Sequence, residues 1–134
     1  MPTFDDAAAD AAEAQQALRG LAHATRTIDP GLIYAVLGSL STAAASLEQS
    51  LHQLGAFHDG PARKHARLNG DERAGRAASH QVSWELHRAG EILRQVAAAL
   101  DRAHEVEAQI AYDHRDFPPL PEPTRSTPSP GLSP

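Results

Sequence analysis

The sequence predicts an all-α protein: an antiparallel three-helix bundle with coiled-coil-like seams, an overlong third helix and a disordered, Pro-rich C-terminal tail. Apolar residues recur at alternating steps of four and three in three separate segments, which is the spacing of helices that pack along one face. Turn signals separate the segments, and the last residues are rich in Pro, Ser and Thr without any period. We expect the bundle over residues 1–117 and the tail over residues 118–134.

The predicted third helix, residues 71–116, carries the longest apolar stripe, which only Glu107 interrupts. With a rise of about 1.5 Å per residue it is roughly 65 Å long, against about 40 Å for the second helix. If the ends pack together, Leu86 lies beside Phe57 and residues 71–85 extend past the bundle. They must then be covered by the preceding segment, bend at Gly75 or meet another chain. The apolar stripe of this helix is Val82, Leu86, Ala89, Leu93, Val96, Leu100, Ala103 and Ile110.

The first two helices are predicted at about 5–28 and 31–57. Asp5 and Asp6 complement the dipole of the first helix, and the short Asp29-Pro30-Gly31 turn makes the two helices antiparallel neighbours. Three of the seven residues of the first stripe are Ala, which buries little area, so we expect either modest stability as a monomer or a core that a second subunit completes. The stripes are Ala7, Ala11, Ala14, Leu18, Leu21, Thr25 and Ile28, then Ile33, Leu37, Leu40, Ala44, Leu47, Leu51 and Leu54.

A basic connector, residues 58–70, joins the second and third helices. Asp59-Gly60-Pro61 breaks the second helix, and Asn69-Gly70-Asp71 offers a turn and a cap for the third. The residues between them could form a single helical turn. The connector and the start of the third helix hold five cations that could contact the phosphates of a nucleic acid: Arg63, Lys64, Arg67, Arg73 and Arg76.

The composition of the chain argues against several classes of function. The formal net charge of −5 argues against a dedicated nucleic-acid binder. The chain has no Cys, and this is compatible with a reducing cytoplasm. We find no apolar run near the ~20 residues of a membrane span, and the acidic N-terminus does not resemble a signal peptide. We therefore expect a cytoplasmic protein without membrane contact, with secretion by a leaderless route as an open alternative.

Eight histidines raise the question of a metal site. His80 and His87 are seven residues apart, about 10 Å along a helix, which is too far for one ion. Asp101-x-x-His104 is a single carboxylate-x-x-His pair, whereas di-iron bundles need two pairs and further Glu residues. We expect no metal, no cofactor and no catalytic residues. Glu107, the one charged residue among the apolar positions, is interpreted as a register-setting residue near Thr25 or Tyr34.

Trp84 lies opposite the apolar stripe of the third helix. Trp and Arg are enriched in binding hot spots, so a partner could bind here. The alternative is that the connector covers Trp84. The predicted partner-binding residues are Trp84, His80, His87 and Arg88.

Tyr112-Asp113-His114-Arg115-Asp116 resembles the YxxxD/E element at the helix end of substrates of actinobacterial type VII secretion. The Ala- and Arg-rich composition also resembles that of actinobacterial, hence bacterial, genomes. The WXG100 proteins of this group are small helical hairpins. Trp84 is followed by Glu85 and Leu86 where that family has Gly, so the resemblance rests on Tyr112 and Asp116.

The favoured function is a non-enzymatic helical interaction or adaptor protein that acts through protein–protein contacts of its third helix and assembles as a homo-oligomer. A DNA-associated accessory or regulatory factor that uses residues 63–76 is the second possibility, and a type VII secreted substrate is the third. Pro118-Pro119-Leu120-Pro121 contains a PxxP arrangement, so the tail is either a docking motif or a spacer.

Overall fold

In the computed structural model, which describes residue 2 and residues 4–113, every regular element is a helix. The helices are α1 (Ala7–Ala24), α2 (Pro30–Asp59), α3 (Pro61–His65) and α4 (Glu72–Glu107), with a 3-10 helix at Thr25–Thr27. No strand occurs in this part of the chain, so the all-α class is confirmed. The predicted tail, residues 118–134, lies outside the described residues.

Aspartates begin the long helices, as their sequence positions predict. The Asp6 carboxylate accepts a hydrogen bond from a backbone N–H in the first turn of α1, and the Asp71 carboxylate accepts two at the start of α4. Asp29 accepts a hydrogen bond from the backbone N–H of Gly31, just inside α2. Each carboxylate satisfies donors that the helix itself leaves unpaired.

The observed helix ends differ from the predicted ranges 5–28, 31–57 and 71–116. The largest difference is in α4, which ends at Glu107. Val106 and Ile110 are 60% and 46% exposed, so little packing supports another helical turn at this end. Because tertiary packing supplies most of the stability of a helix, the apolar spacing alone is insufficient to extend α4 to Asp116.

The connector is partly helical, since α3 forms the predicted single turn. It covers the start of α4, where Gly75, Ser79 and Ser83 are buried. The backbone of Ala66 lies so close to Gly75 that a Cβ there would be 2.0 Å from the Ala66 carbonyl oxygen. The sequence allows residues 71–85 to be covered by the connector, to bend at Gly75 or to meet another chain, and coverage by the connector is therefore confirmed.

The chain divides into two units, and residues 32–110 form one of them. Within it, α2 and α4 make an antiparallel hairpin: Tyr34 meets His104 near one end, and Asp59 meets Ser83 near the other. The register prediction that sets Leu86 level with Phe57 is confirmed, because the next residue, His87, reaches Asp59. The other unit contains α1, which has no buried residue.

The apolar stripes are not a buried core. Ala44, 8% exposed, is the only stripe residue that is buried. Leu37, Leu93 and Leu100 are half-buried and Leu47 is exposed. The prediction that the apolar stripes of α2 and α4 pack against each other is wrong in its detail, because a different row of residues forms the contact between the two helices.

Helix α2 is long and apolar enough, by length and composition, to cross a membrane, with a mean hydropathy of 1.4 over its most apolar window. The expectation of no membrane contact counted only uninterrupted apolar runs, whereas the Leu, Ile, Val and Ala residues spread along the helix raise its mean hydropathy. Core helices of soluble proteins and signal sequences pass the same test, so it assigns α2 no membrane role.

Candidate interaction site

Small and polar residues make the contact between α2 and α4. We call this row the contact stripe; none of its members is a large aliphatic residue. Small side chains let two helix backbones approach closely, and polar ones must then find hydrogen-bond partners across the interface. The contact stripe consists of Tyr34, Gly38, Ser41, His52, Gly55 and Asp59 on α2, and Ser79, Ser83, His87, Gly90, Asp101 and His104 on α4.

Histidine rings lie over glycines of the opposite helix. A Cβ on Gly90 would be 2.6 Å from His52 Nε2, and a Cβ on Gly55 would be 2.7 Å from His87 Nε2. Real Cβ atoms essentially never come so close to another heavy atom. The two glycines therefore provide the space that the two rings occupy.

The middle of the interface is a chain of titratable groups. His52 Nδ1 and His87 Nδ1 are 2.7 Å apart, and the rings are tilted by 32°. On its other side, His87 Nε2 is 3.0 Å from the Asp59 carboxylate. His52 Nε2 faces Glu91 at 3.6 Å and Glu48 at 4.0 Å. Each imidazole thus has its partner ring at one nitrogen and carboxylates near the other.

Asp59 joins three helices. Its carboxylate accepts hydrogen bonds from Ser83 and from His87 on α4, and Arg63 of α3 lies 3.9 Å away. The Ser83 hydrogen bond, followed by that of His87, lowers the pKa of Asp59 below its ordinary value. Asp59 is therefore suited to remain an anion beside the histidine pair.

The remaining contacts along the hairpin follow the same polar pattern. Toward α3, the Ser79 hydroxyl contacts both the carbonyl oxygen and Nδ1 of His58, each at 3.0 Å. Toward the other end, Ser41 hydrogen-bonds to Asp101. The His104 ring stacks on Tyr34 with centroids 4.0 Å apart.

In the sequence, an apolar residue directly precedes nearly every member of the contact stripe. Leu40, Leu51 and Leu54 precede Ser41, His52 and Gly55, and the same holds in α4 for Val82, Leu86, Ala89, Leu100 and Ala103. One residue is a rotation of about 100° around a helix. Viewed from one end of the hairpin, successive residues of two antiparallel helices rotate in opposite senses. An offset of one residue from the contact stripe in each helix therefore places both apolar stripes on the same side of the hairpin.

This shared side, which we call the apolar face, is open to solvent within the hairpin. Leu47 and Leu54 of α2 are 47% and 53% exposed, and Val82 and Val96 of α4 are both 41% exposed. Isolated apolar residues on a surface are ordinary, but contiguous apolar rows typically mark an interaction site.

The structure separates the predicted partner-binding residues. Trp84 is 54% exposed, so the connector does not cover it, and the Arg88 guanidinium lies 5.3 Å from its ring centroid. His80 Nδ1 accepts a hydrogen bond from Arg63 at 3.1 Å. His87 belongs to the contact stripe. Trp84 and Arg88 thus remain one exposed pair, whereas the His87 ring contacts α2.

Ion pairs engage part of the predicted phosphate-binding set. Arg67 Nη1 is 2.8 Å from a Glu72 carboxylate oxygen, and Arg63 pairs with Asp59. Lys64, Arg73 and Arg76 are exposed. Partial neutralisation of the cations weakens the case for phosphate binding.

Other predicted sites receive little support from the coordinates. Tyr112 follows the end of α4 and is half-buried, whereas Asp116 lies outside the described residues. Within the described part of the chain, no group of three or more His, Asp or Glu side chains is arranged to hold a metal ion. Asp101 and His104, considered as a di-iron pair, contact Ser41 and Tyr34 instead.

Sequence reasoning missed most of the contact stripe, including His52, Asp59, Ser79 and Ser83. A signal was present, since these residues repeat with the same steps of three and four as the apolar stripe, one position later. Comparisons with protein-family models, curated proteins and solved structures found no match for the chain.

Proposed function

We propose that the protein is a non-enzymatic helical interaction protein whose hairpin docks helices on its apolar face, first of all those of a second copy of the chain. One observation carries the proposal: the apolar stripes of α2 and α4 lie on the same side of the hairpin, and nearly all of their residues remain half-buried or exposed. The titratable groups of the contact stripe bond to one another across the interface, which supports a structural role for them.

In an isolated hairpin, the side chains of the apolar face do not gain the free energy that their full burial would provide. Full burial of a Leu or Val side chain contributes about 1.5–3 kcal/mol. A side chain that is half exposed therefore still has roughly 1 kcal/mol to gain from a partner. Several such residues along both helices supply enough driving force for association.

Helix α1 alone is too short to cover this face. Its 18 residues extend about 27 Å, whereas the stripe within α4, from Val82 to Ala103, spans roughly 32 Å. A second copy offers apolar stripes of the same period, so two hairpins can interdigitate as a four-helix arrangement.

The proposal is tested by the mass of the full chain in solution as a function of concentration, with light scattering after size exclusion. We expect a dimer that Leu54→Asp weakens. Each subunit of a symmetric dimer carries the change, so two sites lose roughly 1 kcal/mol each. Dissociation then becomes easier by a factor on the order of 30.

Gln53→Asp is the matched control, because Gln53 is exposed and its position is rotated by one residue from the apolar face. We expect the dimer of this variant to match that of the wild type. A wild-type monomer at all concentrations, or equal losses in both variants, would contradict the proposal. DNA binding that weakens steeply with salt would instead favour a DNA-associated role for the connector.

A further inference from the structure

The histidine pair at the centre of the hairpin can be described by counting protons. Nδ1 of His52 and Nδ1 of His87 are 2.7 Å apart. At this distance one nitrogen must donate a proton and the other must accept it. The contact therefore needs one proton between the two rings, and a second proton there would set two N–H groups against each other.

The outer nitrogens have the opposite requirement. His87 Nε2 faces the Asp59 carboxylate at 3.0 Å, and His52 Nε2 faces Glu91 at 3.6 Å. A carboxylate accepts hydrogen bonds and cannot donate them when ionised. Both outer nitrogens are therefore best matched when they carry a proton.

Together, the two requirements are met when the pair holds three protons: one between the rings and one on each outer nitrogen. With only two protons, both rings are neutral, and one outer nitrogen presents its lone pair to a carboxylate, so that two acceptors face each other. Four protons make both rings cationic, which removes the central hydrogen bond and adds repulsion between like charges.

We infer that His52 and His87 form a one-proton switch, which takes up a single proton to hold α2 against α4 and loosens the hairpin when a second proton binds. Histidine is the side chain whose charge ordinarily changes between about pH 5 and 8, so this is the range in which the proposal is tested. Because each ring is the hydrogen-bond partner of the other, a proton taken up here belongs to the pair and not to either residue.

The three carboxylates near the pair all favour uptake of the first proton. Glu48 on α2 and Glu91 on α4 favour a cation at His52, and Asp59 favours one at His87. Arg63 of α3 lies beyond Asp59 and partly offsets its charge. The side chains of His52 and His87 are 31% and 38% exposed, so protons can reach the pair from solvent without unfolding.

The test is a proton NMR titration of the histidine rings in the full-length wild-type protein. We expect the signals of His52 and His87 each to move in two distinct steps. His52→Gln removes one ring of the pair, and His87 should then titrate in a single step. The exposed His65 lies outside the pair, so His65→Gln should leave the two-step curves unchanged.

Stability gives a second measurement that does not depend on the variants folding equally well. The urea midpoint of the wild type should be highest where the pair holds one added proton and should fall as the second binds. Single-step titration of both rings in the wild type, with one common midpoint, would overturn the inference. So would a wild-type urea midpoint that shows no fall as the second proton binds.

Discussion

Gly75→Ala tests how closely the connector packs on α4. A glycine in a helix interior normally costs about 0.5–1 kcal/mol relative to Ala, so the substitution would stabilise an isolated helix. Here the added Cβ would lie 2.0 Å from the Ala66 carbonyl oxygen and 2.5 Å from the Arg67 Cα. Both are backbone atoms, so no side-chain rotation relieves the contact.

The magnitude follows from the displacement required. Ordinary contact begins at 3.4 Å, so the Ala66 backbone must move by 3.4 − 2.0 = 1.4 Å. Overpacking of this kind costs about 1–3 kcal/mol, and the upper end applies because the backbone must shift. After subtraction of a helix-propensity gain of about 1 kcal/mol, we expect a net destabilisation of about 2 kcal/mol.

Thermal unfolding followed by far-UV circular dichroism measures the effect. A loss of about 2 kcal/mol lowers the melting temperature of a domain of this size by roughly 8–16 °C. Gly20→Ala is the control, since nothing lies within 4 Å of its added Cβ, and it should increase helix stability. If Gly75→Ala is as stable as the wild type, the connector does not lie against α4 as described.

Three further predictions concern the contact stripe and the exposed aromatic. Gly55→Ala should lower the free energy of unfolding, measured by urea denaturation, by less than Gly75→Ala does, with a difference of about 1 kcal/mol or more. The reason is that the His87 ring can turn away from the added Cβ, whereas backbone atoms cannot. Asp59 has a lowered pKa in the folded state, so its stabilising contribution is complete above its ordinary pKa. That contribution is lost as the pH falls through the lower folded value, and Asp59→Asn should flatten this acid limb of the urea midpoint. Trp84 should emit at the red-shifted wavelength of a solvated indole, and Trp84→Ala should change stability by less than about 0.5 kcal/mol; a blue-shifted emission in the monomer would contradict its exposure.

Much of the fold is predictable because local signals and the period agree. The Asp6 and Asp71 caps, the breaks at Asp29 and Gly60, and the antiparallel register of Leu86 with Phe57 all follow from residue chemistry and helix geometry. The end of α4 is not predictable in this way, since the apolar period continues to Ile110 while the packing that would support a helix there is absent from the hairpin.

The identity of the contact stripe could not be obtained from hydrophobicity. Two rows with the same period run along each helix, one apolar and one made of Gly, Ser, His and Asp. The usual expectation places the apolar row inside. The choice depends instead on the space that Gly55 and Gly90 leave for the His87 and His52 rings and on the pairing of these two rings, and these are tertiary contacts that no single segment shows.

The measurement that tests this arrangement most directly is a pair of cysteine cross-links, which is clean because the chain has no cysteine. Ser41 and Asp101 touch across the hairpin, whereas Leu40 and Leu100 lie one residue away on the apolar face. We predict that a Ser41→Cys/Asp101→Cys variant forms an intramolecular disulfide under mild oxidation. A Leu40→Cys/Leu100→Cys variant should remain reduced in the monomer. The reverse result would place the apolar stripes between α2 and α4 and contradict the account.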